Sequence, residues 1–150
     1  MPQFIPTRTD YKWFMPITTR WMDNDIYGHV NNVNYYSYFD TVANTFLIEK
    51  GDLDIHAGAE IGYVVNSQCN YLSAIAFPEK IEGGFCVEKI GSSSVIYGIA
   101  IFKAGEEKAC AYGTFTHVFV DRETERPKPI NDKLRSVLES VFVQREQADD

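Results

Sequence analysis

The sequence predicts an α+β domain in which one long, buried helix lies on a large antiparallel sheet. Three observations lead there. Apolar residues recur at helical spacing strongly and early, from about residue 32 to 50. Four strand-like runs follow, separated by breaks too short for the crossovers that parallel strands need. A second amphipathic stretch closes the chain, completing one helix-on-sheet layer with a terminal helix.

In chain order, residues 1–11, with Pro2 and Pro6, read as a loose leader. Trp13 to Met22 reads as a first strand, with Ile17, Thr19 and Trp21 alternating against Thr18 and Arg20. Pro16 must lie at its start or on a sheet edge, because it has no N–H to donate to a ladder. Along the first helix Tyr35, Phe39, Val42 and Phe46 form the stripe, which Tyr36, Ala43 and Leu47 widen. So broad an apolar face suits a helix buried in a core. Asn31 or Asn32 is suited to cap its start, and Gly51 stands at C′ beyond its end. The strand-like runs are Glu60–Ala74, Glu79–Ile90, Ser94–Lys103 and Glu107–Val120. Turn residues mark their breaks: Phe77-Pro78, Gly91-Ser92-Ser93 and Ala104-Gly105. After the polar segment 121–129, a helix is expected over 131–147, with Leu134, Val137, Leu138, Val141 and Phe142 on one face.

The chain has 150 residues and reads as one domain, long enough to bury a substantial core. Its net charge of -7 and lack of a Lys/Arg concentration argue against nucleic acid as a partner. Cys69, Cys86 and Cys110 are odd in number, unpaired in spacing and set in apolar runs, so inert core thiols are expected. With no apolar leader and no run near the ~18 residues of a membrane span, a reduced cytosolic setting is the simplest account, with no membrane partner.

The stretch Arg20–Asp40, RWMDNDIYGHVNNVNYYSYFD, holds the residues that bear on chemistry. Asp23, Asp25 and Gly28 occupy positions 1, 3 and 6 of a calcium loop, but Tyr27 at position 5 and Asn34 at position 12 break the pattern. His29, His56 and His117 are scattered singletons without zinc spacing, so no metal is expected. Neither a GxSxG elbow nor a phosphate-binding glycine loop occurs. What remains is Asp25, just ahead of a long helix whose first turn offers unpaired N–H groups and partial positive charge. Such amides can polarise a carbonyl, and a neighbouring carboxylate can attack it or deprotonate a water that does. Simple helix capping by Asp25 and the asparagines accounts for the same residues. Asp23, lacking a matching role, reads as a solvated loop acid.

The string Asp25–Asp40, DIYGHVNNVNYYSYFD, resembles the signature of the hot-dog-fold acyl-CoA thioesterases of the hydroxybenzoyl-CoA thioesterase type. The likeness extends over about residues 12–140, including VEKIGSSSV and THVFVDRETERPKPI. It implies a long central helix wrapped by a curved antiparallel sheet, and hydrolysis of an acyl-CoA thioester without metal or redox cofactor. Asp25 falls where the family keeps its catalytic carboxylate, nucleophile or general base. Gly28 matches the glycine of the tight loop, and His29 and Asn31 match loop-ordering positions. The backbone N–H of Asn32 matches the donor to the thioester carbonyl. Gly91, Ser92, Ser93 and Ser94 match a turn that helps hold CoA, with Lys89 and Arg122 as phosphate partners. Asp40 matches a frequent acidic position. Tyr35, Tyr36 and Tyr38 divide between core and acyl pocket. The family also implies a homodimer or a dimer of dimers, in keeping with the unpaired edges of a single sheet.

Alternatives are few. The plant acyl-ACP thioesterases resemble the HVNN segment, but carry an asparagine where this chain has Tyr27, and an acidic surface disfavours an acidic carrier. Hot-dog hydratases carry different motifs at this place. A non-catalytic acyl-CoA-binding module on the same fold is the remaining reading.

Overall fold

The structure, a computed structural model, describes residues 4–54 and 57–144. Five strands form one sheet: β1 (Trp13–Thr18), β2 (Glu60–Tyr71), β3 (Lys80–Ile90), β4 (Ser94–Lys103) and β5 (Ala111–Asp121). Their order is β1-β3-β4-β5-β2, and every neighbouring pair is antiparallel. Helix α1 (Asn32–Glu49) joins β1 to β2, and α2 (Asp132–Ser140) follows β5. This is the expected hot-dog arrangement, with Pro16 on an edge strand as its missing donor requires.

Helix α1 lies on one face of the sheet and buries Tyr35, Tyr38, Phe39, Val42, Ala43, Phe46 and Leu47. These pack on Phe85, Tyr97, Ile99, Phe115 and Phe119, the residues that alternate inward from β3, β4 and β5. The Phe46 and Phe85 rings stack 4.5 Å apart, and Trp13 meets both edge-on. On the opposite face Tyr11, Cys86, Ala100, Phe102 and Ala109 form a smaller cluster. Among the described residues no helix is long and apolar enough to cross a membrane.

Several elements end earlier than the sequence suggests, each for a local reason. β1 stops at Thr18 because the Asp23 carboxylate takes the Arg20 N–H and turns the chain into a single 3-10 turn, Trp21–Asp23. Trp21 is consequently exposed, while Thr19 is buried and donates its hydroxyl to the Glu79 carbonyl. β2 ends at Tyr71, where the Leu72 and Ser73 N–H groups both turn to the Cys110 carbonyl. α2 ends at Ser140 because the next residues pair with β3: a bulge between Val87 and Lys89 leaves Val87 to bond Val141 and Val143. Phe142 is thereby exposed rather than on the helix's buried face. Residues 145–147 of the expected helix lie outside the described residues.

Three further expectations are corrected. Residues 6–11 are not a loose leader. Ala109 donates to the Pro6 carbonyl, and Arg8 binds Glu82 and the Lys103 and Glu106 carbonyls while lying over the Phe102 ring. At the end of α1, Asp52 rather than Gly51 adopts the left-handed conformation, with φ 53°. Gly51 is needed for space, since a Cβ there would lie 2.6 Å from Leu134 Cδ1 of α2. Of the helix tyrosines, Tyr35 and Tyr38 are core, whereas Tyr36, expected to widen the buried stripe, is partly exposed over Phe115. Cys86 and Cys110 are buried as expected, and burial pushes the half-buried Cys69 thiol up to about 11.

His117 sits inside the core on β5, with Nδ1 3.2 Å from the Tyr97 hydroxyl. Burial lowers its pKa from 6.5 to about 4, so the folded chain keeps it neutral. The unfolded chain takes up the proton first, so this contribution is present above about pH 6.5 and lost as pH falls towards 4. Unfolding free energy should fall by about 2 kcal/mol between pH 7 and 5. In His117→Phe that slope should flatten, as measured by urea denaturation across this range.

Candidate functional site

The segment between β1 and α1 is a compact loop fixed at every step. Asn24 bridges Val30 across it, Asp25 N–H donates to the His29 carbonyl at 2.8 Å, and Gly28 N–H donates to the Asp25 carbonyl at 3.0 Å. Gly28 takes φ +81° in open space, so a side chain there is disfavoured by backbone conformation and not by crowding. The Asp25 Oδ1 atom accepts from Tyr27 N–H at 2.8 Å and from His29 N–H at 3.4 Å. These bonds aim the carboxylate while leaving Oδ2 without an acceptor role among the described residues. Beside it opens a hollow of about 630 Å³, lined by Trp21, Met22, Asn24, Asp25, Ile26 and Gly28.

The loop's far end is the start of α1. Asn31 is the N-cap, its side-chain oxygen accepting from Val33 N–H at 3.0 Å. Val30 N–H donates to the Ile75 carbonyl and Asn31 N–H to the Asp23 carbonyl. The Asn32 N–H finds no acceptor among the described residues, and so stands as an unpaired donor at the positive end of an 18-residue helix. Tyr71, on β2, donates its hydroxyl to the Asn32 carbonyl at 3.1 Å. The structure therefore brings together Asp25, Gly28, His29, Asn31 and Asn32.

Asp23 is not a solvated acid. Its side chain is wholly buried: Oδ1 accepts from Arg20 Nε at 2.9 Å and Nη2 at 2.8 Å, and Oδ2 from Arg20 N–H at 2.9 Å and the Tyr38 hydroxyl at 2.7 Å. Its carbonyl also accepts the Asn34 side-chain amide. Burial alone would raise its pKa, but the Tyr38 hydroxyl and Arg20 outweigh it and hold the carboxyl below the usual range. Sequence reasoning missed Arg20, Asn34 and Tyr71, and the bond from Tyr38 to Asp23. The Arg20–Asp23 spacing of three was a visible signal for the first. Asp40 is exposed on α1, where its carbonyl and Oδ1 accept from the Asn44 side-chain amide.

The residues expected to hold CoA lie elsewhere. β1 pairs Thr18 with Lys80, placing the Asp25 loop at the start of β3, whereas Gly91, Ser92, Ser93 and Ser94 lie at its other end. Eleven residues of strand separate the two, on the order of 30 Å. Arg122, after β5, is at the Ser94 end, where its guanidinium binds the Gly58 carbonyl. The Gly91 and Ser92 carbonyls both accept from Arg135 of α2. Lys89 shares a hollow with Glu88 and Glu139. A single chain does not bring this group to Asp25. His56 lies outside the described residues.

Comparisons with known proteins agree with the fold. The family model described as the thioesterase-like superfamily matches residues 19–138. The chain is 51% identical to the PA5185 protein of Pseudomonas aeruginosa, covering 95% of this chain and 99% of that one, with TM-score 0.92. It is 26% identical to PA2801 of the same species, named as a candidate thioesterase, covering 82% of this chain and 95% of that one at TM-score 0.77. It shares its fold at 12% identity with Slr0204 of Synechocystis, a 1,4-dihydroxy-2-naphthoyl-CoA thioesterase, over 83% of this chain and 93% of that one at TM-score 0.75.

The depressed Asp23 carboxyl has a stability consequence. Its contribution is present above the ordinary carboxylate pKa and is lost as pH falls below about 4. Asp23→Ala, which strands the Tyr38 hydroxyl, should cost about 2–3 kcal/mol at pH 7 by chemical denaturation. That cost should shrink as pH drops below 4.

Proposed function

This chain belongs to the thioesterase-like superfamily, and from that premise we propose that it hydrolyses an acyl-CoA thioester to the free acid and CoA. The observation that carries the proposal is a carboxylate and an unpaired helix-start amide held in one braced loop beside an open hollow. In one form of the reaction, Asp25 removes a proton from water as the water oxygen attacks the thioester carbon. In the other, Asp25 attacks directly, and water then cleaves the resulting anhydride. In both, negative charge gathers on the carbonyl oxygen, where the Asn32 N–H and the α1 N-terminus stabilise it. Collapse of the tetrahedral intermediate breaks the C–S bond, and the thiolate leaves as CoA. Water is the sole co-reactant, so the scheme requires neither metal nor redox cofactor.

The same reading calls for a second copy of the chain. β2 is a sheet edge whose unpaired backbone is flanked by exposed Tyr63, Val64 and Val65, the kind of edge that invites pairing. If two β2 edges pair antiparallel, the Glu60 end of one lies beside the Tyr71 end of the other. The partner's turn of Gly91, Ser92, Ser93 and Ser94, with Lys89 and Arg122, is thereby brought towards Asp25. CoA held by one copy and cleaved at the other reconciles the two separated groups in a homodimer, or a dimer of dimers.

Thiol release from short, medium, long and aromatic acyl-CoAs tests the proposal. Asp25→Asn and Asp25→Ala should lower kcat by roughly 100- to 10,000-fold while CoA binding persists. Wild-type rates in both variants would refute the role of Asp25, and binding without release by the wild type would refute hydrolysis. Release from acyl-ACP in preference to acyl-CoA would replace the substrate class.

A further inference from the structure

We propose that Asp23, clamped by Tyr38 and Arg20, is the positioning residue that holds the Asp25 carboxylate and the Asn32 amide in one fixed geometry. This rests on the reading of Asp25 and Asn32 given above. The two groups stand on different sides of a loop, and catalysis at a thioester needs both at one carbonyl. Asp23 is the residue that ties the sides together. Its carboxylate fixes it to the end of β1 through three Arg20 donors and to the second turn of α1 through Tyr38. Its carbonyl receives Asn31 N–H at 2.8 Å and the Asn34 side chain at 2.9 Å, which anchors the chain on both sides of the peptide that carries the Asn32 N–H. Asp25 follows two residues later, with its own backbone locked to His29.

An apolar side chain of the same size fills a buried space without specifying direction. A carboxylate with two donors on each oxygen accepts one orientation, because any rotation leaves a buried charge short of partners. The buried acid thus converts helix packing into a fixed distance between the candidate base and the candidate oxyanion donor. Tyr38 transmits it from the core, lying in the same cluster as Phe39 and Val42.

Tyr38→Phe tests this with unchanged ring volume and one hydroxyl removed. In thiol-release assays on the acyl-CoA panel, kcat should fall roughly 10- to 100-fold, with KM changed by no more than about threefold. Asp23→Asn should give the same split. As a control, Leu138→Ala in α2, far from the loop, should lower the melting temperature at least as much yet keep kcat within about twofold. The proposal is overturned if Tyr38→Phe and Asp23→Asn keep kcat while Asp25→Asn loses it; the reading of Asp25 then stands alone. It is equally overturned if Leu138→Ala loses kcat in proportion to its melting temperature, for then Asp23 acts through stability only. If Asp23→Asn does not fold, Tyr38→Phe decides by itself. Activity retained in Asp25→Asn removes the premise and the proposal with it.

Discussion

A charge withdrawn from water must be met by donors, and the connection from β1 to α1 is arranged around that demand at Asp23. The carboxylate has no exposure, and Arg20 and Tyr38 supply a full set of partners. Meeting it ends β1, turns the chain through Trp21–Asp23 and directs the next residues across the first turn of α1. The same residue's carbonyl pins Asn31, whose side chain caps the helix. Capping therefore takes up only part of the set of amides at the start of the helix. Asn31 satisfies the Val33 N–H, and the Asn32 N–H is left without an acceptor among the described residues.

Much of the architecture was legible in the sequence because it follows from periodicity and turn chemistry. The α1 stripe, the Gly91–Ser93 and Ala104–Gly105 turns and the capping asparagine are all local signals. The errors came where tertiary contact outweighs local pattern. Asp23 looked like a loop acid because its partners, Arg20 and Tyr38, are distributed between a strand end and a helix. Tyr36 falls outside the buried stripe and Tyr38 inside the core because a wide apolar stripe does not reveal which flank meets the sheet. α2 stopped short because a bulge in β3, invisible from residues 131–147, offered Val87 as a partner to the segment that follows.

The candidate site was legible as a list of residues but not as a geometry. Asp25, Gly28, His29, Asn31 and Asn32 are contiguous, so one motif places all of them. The turn of Gly91–Ser94, Lys89 and Arg122 came from resemblance alone, and no spacing in the sequence tells which end of a sheet a turn occupies. The strand register does: it puts that group at the end opposite Asp25.

A crystal structure of the Asp25→Asn variant bound to an uncleaved acyl-CoA would show directly whether Asp25 and the start of α1 meet at one thioester. The thioester carbonyl oxygen should lie about 2.7–3.1 Å from the Asn32 N atom, with the thioester carbon beside residue 25. A thioester bound with its carbonyl turned away from the start of α1 would contradict it.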